Sequence, residues 1–277
     1  MSDVIDVRGL SVRYRGADRR ALDDVSFRVG AGEVAGVLGA TGAGKSTLLK
    51  CLAGVIPHYA DDARHIGDVR VLGTEIRAYG RLADVSARVG LVLQDPEAQL
   101  VNTVVHEELA WGMENRGVPV PRIEAEVARV AELFGIGDLL DRFTYALSGG
   151  EKQRVIVAAT FCLGPEVILL DEPTSELDPV GTRDVMRAVR TLAAEGVTVV
   201  LAEHEVEELA ACADRLLVLD DGRLADSGTP REVLTRLSGP AADYRPQVLD
   251  LALRLGDAWP GADLPLTTDE AVAQWTA

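Results

Sequence analysis

The sequence predicts an α/β protein built on a mainly parallel β-sheet core with both faces covered. Three observations carry this. Five short runs, VAGVL before Gly39, VGLVL before Gln94, VILLD at 167–171, VTVVLA at 197–202 and LLVLD at 216–220, are apolar almost without interruption. Such runs fit strands buried on both faces, not a sheet wetted on one side. Amphipathic helical stretches alternate with them, as crossover connections between parallel strands require. The 277 residues are 47% hydrophobic, enough for one large domain or one domain and an appendage.

Taken in order, the N-terminal part departs from this pattern. ALDDVSFRV and HIGDVRVLG alternate polar and apolar residues, which predicts an antiparallel β layer beside the main sheet. Between about Pro96 and Thr160 the pattern turns helical. PRIEAEVARVAELFG opens with a proline at a helix start, places Ile123, Val127, Val130 and Phe134 on one face, and stops at Gly135. LSGGEKQRV, Leu147 to Val155, sets two glycines after a serine and before a helix-favouring run. That describes a helix start whose bare N–H groups can approach an anion.

Composition narrows the possible anions. With 44 acidic and 28 basic residues the net charge is −16, which repels a phosphate backbone and argues against nucleic acid as a partner. Cys51, Cys162 and Cys212 are scattered in apolar neighbourhoods and read as reduced core thiols of a cytosolic protein. The stretch MSDVIDVRGL lacks the pattern of a secretory signal, and the apolar runs are strand-sized, so no segment is expected to enter a membrane unaided.

The anion source lies in GATGAGKST, comprising Gly39, Ala40, Thr41, Gly42, Ala43, Gly44, Lys45, Ser46 and Thr47. It matches G-x-x-x-x-G-K-[ST] between an apolar strand and the helical run STLLKCLAG, the setting of a phosphate-binding P-loop. Glycines let backbone N–H groups wrap a β-phosphate, Lys45 reaches the β and γ oxygens, and Ser46 can coordinate Mg²⁺. A glycine-rich turn with a solvated lysine is the plain alternative, and the strand and helix on either side count against it. VILLDEP delivers Asp171 to a strand's carboxyl end, where a carboxylate can hold the Mg²⁺ shell. Glu172 would then face the γ-phosphate and polarise the attacking water. Alone, the acidic pair would read equally well as a helix N-cap.

With these motifs in their order, residues 1–230 resemble an ATP-binding cassette (ABC) ATPase of the P-loop NTPase class. LSGGE resembles the family signature. Gln94 in LVLQDP falls where the family has its Q-loop glutamine, a Mg²⁺ and water ligand, and SELD at 175–178 resembles the D-loop, with Asp178 and an unusual Glu176. His204 in LAEHE matches the switch histidine on the γ-phosphate, and Tyr14 in VRYRG the aromatic that stacks on adenine. The resemblance implies that two cassettes pack head to tail. Ser148, Gly149, Gly150 and Glu151 of one subunit would then cap ATP held by the other. It also implies a helical signature subdomain, about 95–160, inserted in the ATPase domain.

Gln94 to Gly117, through DPEAQL and V-x-x-E-L-A-W-G, resembles the cassettes of energy-coupling factor (ECF) transporters for cobalt, nickel and vitamins. Leu100, Val104, Leu109, Trp111 and Met113 are more apolar than a solvated helix face needs. They form either a docking surface for a membrane subunit or packing inside the helical subdomain. Residues 231–277, with AADYRPQVLDLALRLG and LTTDEAVAQW, resemble the short helical appendage of the same ATPases, giving either a second dimer contact or a cover for the core. The resemblance implies an ATP hydrolase at the inner face of the cell membrane, working with a second cassette, identical or related. Its further partners would be an ECF T-like membrane subunit and a substrate-binding membrane subunit. An ordinary ABC importer or exporter is the alternative. A DNA-repair or translation ATPase fits less well, because no long insertion separates Lys45 from Ser148 and only one cassette is present.

Overall fold

A computed structural model describes residues 3–60, 62–175, 177–238, 244–261 and 263–276. The antiparallel layer is built first. Strands β1 (Asp3–Tyr14) and β2 (Leu22–Gly30) pair antiparallel. After β3 (Val34–Leu38), α1 (Lys45–Leu52) and α2 (Val55–His58), β4 (Ala63–Val71) returns to the other side of β1, with β5 (Thr74–Glu75) at its edge. The order is therefore β2-β1-β4-β5. The two alternating segments are strands as expected, and β1, which sequence reasoning left unassigned, lies between them.

Helix α3 (Leu82–Ser86) precedes β6 (Val89–Val92). Then come α4 (Val105–Asn115), α5 (Val120–Leu133) and α6 (Gly149–Cys162), followed by β7 (Val167–Asp171), α7 (Pro179–Ala194), β8 (Thr198–Glu203), α8 (Val206–Cys212), β9 (Arg215–Asp220) and β10 (Arg223–Gly228). The main sheet has the order β10-β9-β3-β8-β7-β6, parallel except for β10. Side chains of a strand alternate between faces, and here both faces are dry. In β7, Ile168 and Leu170 join a core with α4, α5, α6 and α7, while Val167 and Leu169 join the opposite core with α1 and the antiparallel layer. That is why the strands read as unbroken apolar runs. All three cysteines are buried and free, and burial pushes each thiol up to about 12.

The chain continues through α9 (Pro230–Arg236), α10 (Gln247–Leu255) and α11 (Thr268–Thr276). Leu234, Leu249 and Leu266 are buried in the α-helical core, so much of this tail covers it. Leu251 on α10 and Val272 and Trp275 on α11 stay exposed, and Trp275 packs edge-on against Trp259 at 5.4 Å between ring centroids.

Candidate nucleotide and coupling site

In open α/β sheets the carboxyl ends of the strands, next to a change in strand order, form the ligand crevice. Four adjacent strands, β3, β8, β7 and β6, end on one side and carry the residues singled out from sequence. From β3 the chain turns through Gly39–Gly44 into α1. Gly44 has φ +106°, and a Cβ there would lie 2.5 Å from the Ala21 carbonyl oxygen. Gly39 is equally confined, its Cβ position being 2.4 Å from the Leu219 carbonyl oxygen. The loop thus owes its path to glycine, which leaves its backbone close to whatever binds. Lys45 is 3% exposed, and its ammonium donates to Gly39 O at 2.7 Å and Ala40 O at 3.3 Å.

The third partner of that ammonium is Glu172, whose Oε1 lies 2.9 Å from Lys45 Nζ. Glu172 follows β7 with φ +46°, a left-handed conformation that costs a side-chain-bearing residue about 1–2 kcal/mol. The donation from Glu172 N to Ala202 O at 2.9 Å helps hold it there. Such an outlier points to a functional demand on where this carboxylate aims. On the next strand, His204 Nδ1 is 3.9 Å from Glu172 Oε2, close but not bonded. Ser46 Oγ donates to Asp171 Oδ1 at 3.0 Å. Burial, reinforced by the neighbouring Glu172 charge, lifts the Asp171 carboxyl above its ordinary range against the lowering effect of the Ser46 bond. Beyond β6, Gln94 Nε2 donates to Ser175 Oγ at 3.3 Å. Tyr14, half-buried at the end of β1, shares a 3.3 Å hydrogen bond with the Thr47 hydroxyl.

Sequence reasoning missed Glu203, the last residue of β8. It is fully buried, and its Oε1 accepts from Thr174 N at 3.1 Å and from Thr174 Oγ1 at 2.7 Å. Its Oε2 has no hydrogen-bond partner. Burial pushes this carboxyl up to about 7, opposed by the two Thr174 bonds and reinforced by the charges of Glu172 and Glu205. The available signal was an acidic residue closing an otherwise apolar strand.

The signature residues lie apart from this crevice. Ser148 caps α6, its hydroxyl accepting from Glu151 N at 3.3 Å while Glu151 Oε2 accepts from Ser148 N at 2.7 Å. This reciprocal box fixes the helix start expected from LSGGE. No hydrogen bond or ion pair among the described residues joins Ser148–Glu151 to Lys45 or Ser46. Instead, α6 begins against α7. Asp178 caps α7 by accepting from Val180 N at 3.1 Å and Gly181 N at 2.7 Å. Gly150 meets Gly181 so closely that a Cβ on Gly150 would lie 2.9 Å from the Gly181 Cα. Ser148, Gly149, Gly150, Glu151, Asp178 and Gly181 share one concave surface. Glu176 lies outside the described residues.

The apolar set expected as a surface after Gln94 is divided. Leu109 and Met113 are buried and Leu100 is half-buried against the same helical core, so their apolar character serves packing, while Val104 is half-buried outside it. Trp111 is exposed, as are Val101, Phe143 and Tyr145. Phe143 and Tyr145 stack with centroids 5.2 Å apart, and a β-bridge joins Phe143 to Val104. Buried Glu108 shapes this edge by accepting from Val101 N at 3.0 Å, Asn102 N at 2.7 Å and Asn102 Nδ2 at 3.1 Å. The aromatic pair was visible in RFTYALSGG as two large side chains at alternate positions. Lys152 of α6 pairs with Glu97, joining the signature helix to the stretch after Gln94.

Residues 22–175, more than half of the chain, match the ABC transporter family profile. The chain belongs to the ABC transporter family of ATP-binding proteins. It is an ATP-hydrolysing cassette of the transporter type. The energy-coupling factor transporter ATP-binding protein EcfA1 of Lacticaseibacillus paracasei is 39% identical over 267 residues, covering 94% of this cassette and 93% of its own length. The structure of cbiO1 from Clostridium perfringens, described as part of the ABC transporter complex cbiONQ, superposes with a TM-score of 0.78. It is 28% identical and covers 93% of this cassette and 98% of the other chain. The ADP conformation of MJ1267, an ATP-binding cassette of an ABC transporter, gives a TM-score of 0.75 at 26% identity, covering 88% and 98%. Against a relative from Methanosarcina mazei, 35% identical over 257 residues, the cassette covers 91% of itself but spans only 43% of that protein's length. No helix among the described residues is long and apolar enough to cross a membrane.

Proposed function

We propose that this cassette is the ATPase of an ECF-type importer of a vitamin or transition-metal ion, peripheral on the cytoplasmic face of the membrane. In this reading, residues 1–230 are the ATPase domain, about 95–160 its helical signature part, and 231–277 an appendage. The observation that carries the ATP site is the meeting of Lys45, Glu172 and His204 at adjacent strand ends. Gly39–Thr47 wrap the phosphates, and Lys45 exchanges Glu172 for a β or γ oxygen, which frees Glu172 to accept a proton from the attacking water. His204 contacts the γ-phosphate, and Tyr14 stacks on adenine.

The donor set fits Mg²⁺. The Ser46 hydroxyl and Asp171 carboxylate already face each other, and Gln94 follows β6, the strand that pairs with the β7 ending in Asp171. Among the described residues no cluster of three or more His, Cys, Asp or Glu could hold a metal alone. That agrees with an ion that takes most of its oxygens from phosphates and water. Bound there, Mg²⁺ neutralises charge developing on the phosphates. Ser148, Gly149 and Asp178 are exposed and Gly150 and Glu151 half-buried beside them, and in this reading the set completes the site of a second cassette in trans.

The ECF assignment is supported by the EcfA1 relative, matched along nearly its whole length, and by the exposed apolar edge of Val101, Phe143 and Tyr145 beside the Gln94 segment. This edge is the proposed seat of the T-like membrane subunit. Charges placed there, Val101→Glu or Tyr145→Glu, test it. Burying an apolar anchor contributes about 1.5–3 kcal/mol, and an unpaired buried carboxylate costs more, so co-purification of the membrane subunit and transport should fall at least about tenfold. Basal ATPase should persist. Undiminished transport would place the partner elsewhere.

A further inference from the structure

We propose that Glu203 is a positioning residue that fastens the segment carrying Glu172 and Ser175 to the strand end carrying His204, setting the register of these groups for hydrolysis. The proposal rests on the ATPase reading above. It gives a role to Glu203, which stands in the LAEHE stretch that was read only for its histidine.

The geometry is specific. Glu203 ends β8 immediately before His204, and Thr174 follows Glu172 by two positions, immediately before Ser175, which receives the Gln94 bond. One carboxylate oxygen of Glu203 takes both polar hydrogens of Thr174, backbone and side chain, at 3.1 and 2.7 Å. Glu203 is 0% exposed and Thr174 6% exposed, so water cannot substitute for either bond. The backbone contributes a second tie, Glu172 N to Ala202 O at 2.9 Å. Together these bonds fix the chain on both sides of the strained Glu172. With Thr174 released, Glu172 and the start of the D-loop would be held from one side only, and the left-handed conformation at Glu172 would have less to oppose its relaxation.

An unpartnered oxygen in a dry site is costly, and packing alone would be better served by an apolar residue. Retaining a carboxyl here is explained by the Thr174 clamp. Hydrogen bonds between a buried side chain and a backbone segment restrict where neighbouring reactive groups can lie, which is the usual work of supporting residues around a site. Glu203 need not touch nucleotide to do this.

The test uses the full chain and four variants: Glu203→Leu and Thr174→Val, which remove the clamp, and Glu203→Gln and Thr174→Ser, which keep an acceptor and a hydroxyl. ATP affinity is measured by equilibrium titration, and kcat and KM by phosphate release. Glu203→Leu and Thr174→Val should each lower kcat about tenfold, the scale of a lost hydrogen bond to a carboxylate, with ATP affinity unchanged. Their combination should be no worse than either alone, because both delete one interaction. The Gln and Ser variants should stay within about threefold of the parent, since the clamp survives. Unchanged kcat in Thr174→Val, or multiplicative losses in the double variant, would overturn the proposal. If Glu203→Leu does not fold, Thr174→Val against Thr174→Ser decides the matter alone. Absence of turnover in the parent protein would instead sink the ATPase reading, so the two failures are distinct.

Discussion

Replacing Glu172 by glutamine removes a charge and almost no volume, and its consequences for binding and for chemistry run in opposite directions. Glu172 Oε1 lies 2.9 Å from Lys45 Nζ, with the two side chains 16% and 3% exposed. At that separation the gross attraction is about 6 kcal/mol for an effective dielectric of about 20, much of it offset by the water each group has given up. A hydrogen bond to a charged partner typically retains about 1.5–3 kcal/mol. ATP must break this pair to reach Lys45, whereas a neutral amide holds the ammonium less firmly and adds no negative charge beside the γ-phosphate. Mg-ATP affinity of Glu172→Gln should therefore rise about tenfold or more. Hydrolysis should fall about 10²–10⁴-fold, the usual scale for a lost general base, and an ATP-dependent dimer should accumulate. Calorimetric titration gives the affinity, phosphate release the turnover, and size-exclusion chromatography with and without ATP the dimer. Turnover near that of the parent with unchanged affinity would remove Glu172 from both roles.

Lys45→Ala should abolish nucleotide binding, whereas Ser148→Arg should leave ATP binding by the monomer intact and block closure. Mixing the two should restore part of the activity in a homodimer, because one composite site then carries both defects and the other neither. Loss of monomer binding in Ser148→Arg would show the signature acting within its own chain. Glu203→Gln separates stability from pH. The folded carboxyl titrates at about 7 and the unfolded one near its ordinary 4.5, so between these values the folded chain binds more protons and stability falls as pH rises. The gap corresponds to about 3 kcal/mol. Denaturant melts should show the parent losing stability from pH 5 to 8 relative to Glu203→Gln, and parallel curves would refute this.

Much of this architecture was legible because the physics that hides a sheet on two sides leaves a plain trace in composition. Val167–Leu170 could be read as a buried strand with no knowledge of its neighbours, and a glycine-rich turn between strand and helix has few other uses. The Gln94–Gly117 stretch was harder. Leu109 and Met113 lie on a helix whose inner side packs against α6, and periodicity cannot tell an apolar face turned to the core from one offered to a partner. Phe143 and Tyr145 reach the same edge from a distant part of the chain through the bridge to Val104, a long-range pairing invisible in local pattern. The strain at Glu172 and the clamp from Glu203 are also tertiary facts. No propensity predicts a left-handed glutamate, and an acid at a strand end gives no hint that its partner is a threonine twenty-nine positions earlier.

The meeting of Gly150 and Gly181 sets a rule for motion. Two helix starts joined backbone to backbone, with no side chain between them to bend or swivel, act as a dovetail and not as a bearing. Ser148 and Asp178, the caps of those helices, are thereby mounted on one block. While that contact holds, displacement of α6, including one passed from Glu97 through Lys152, arrives at Asp178 at full amplitude. A displacement entering at the edge beside Gln94 would thus reach both caps at once.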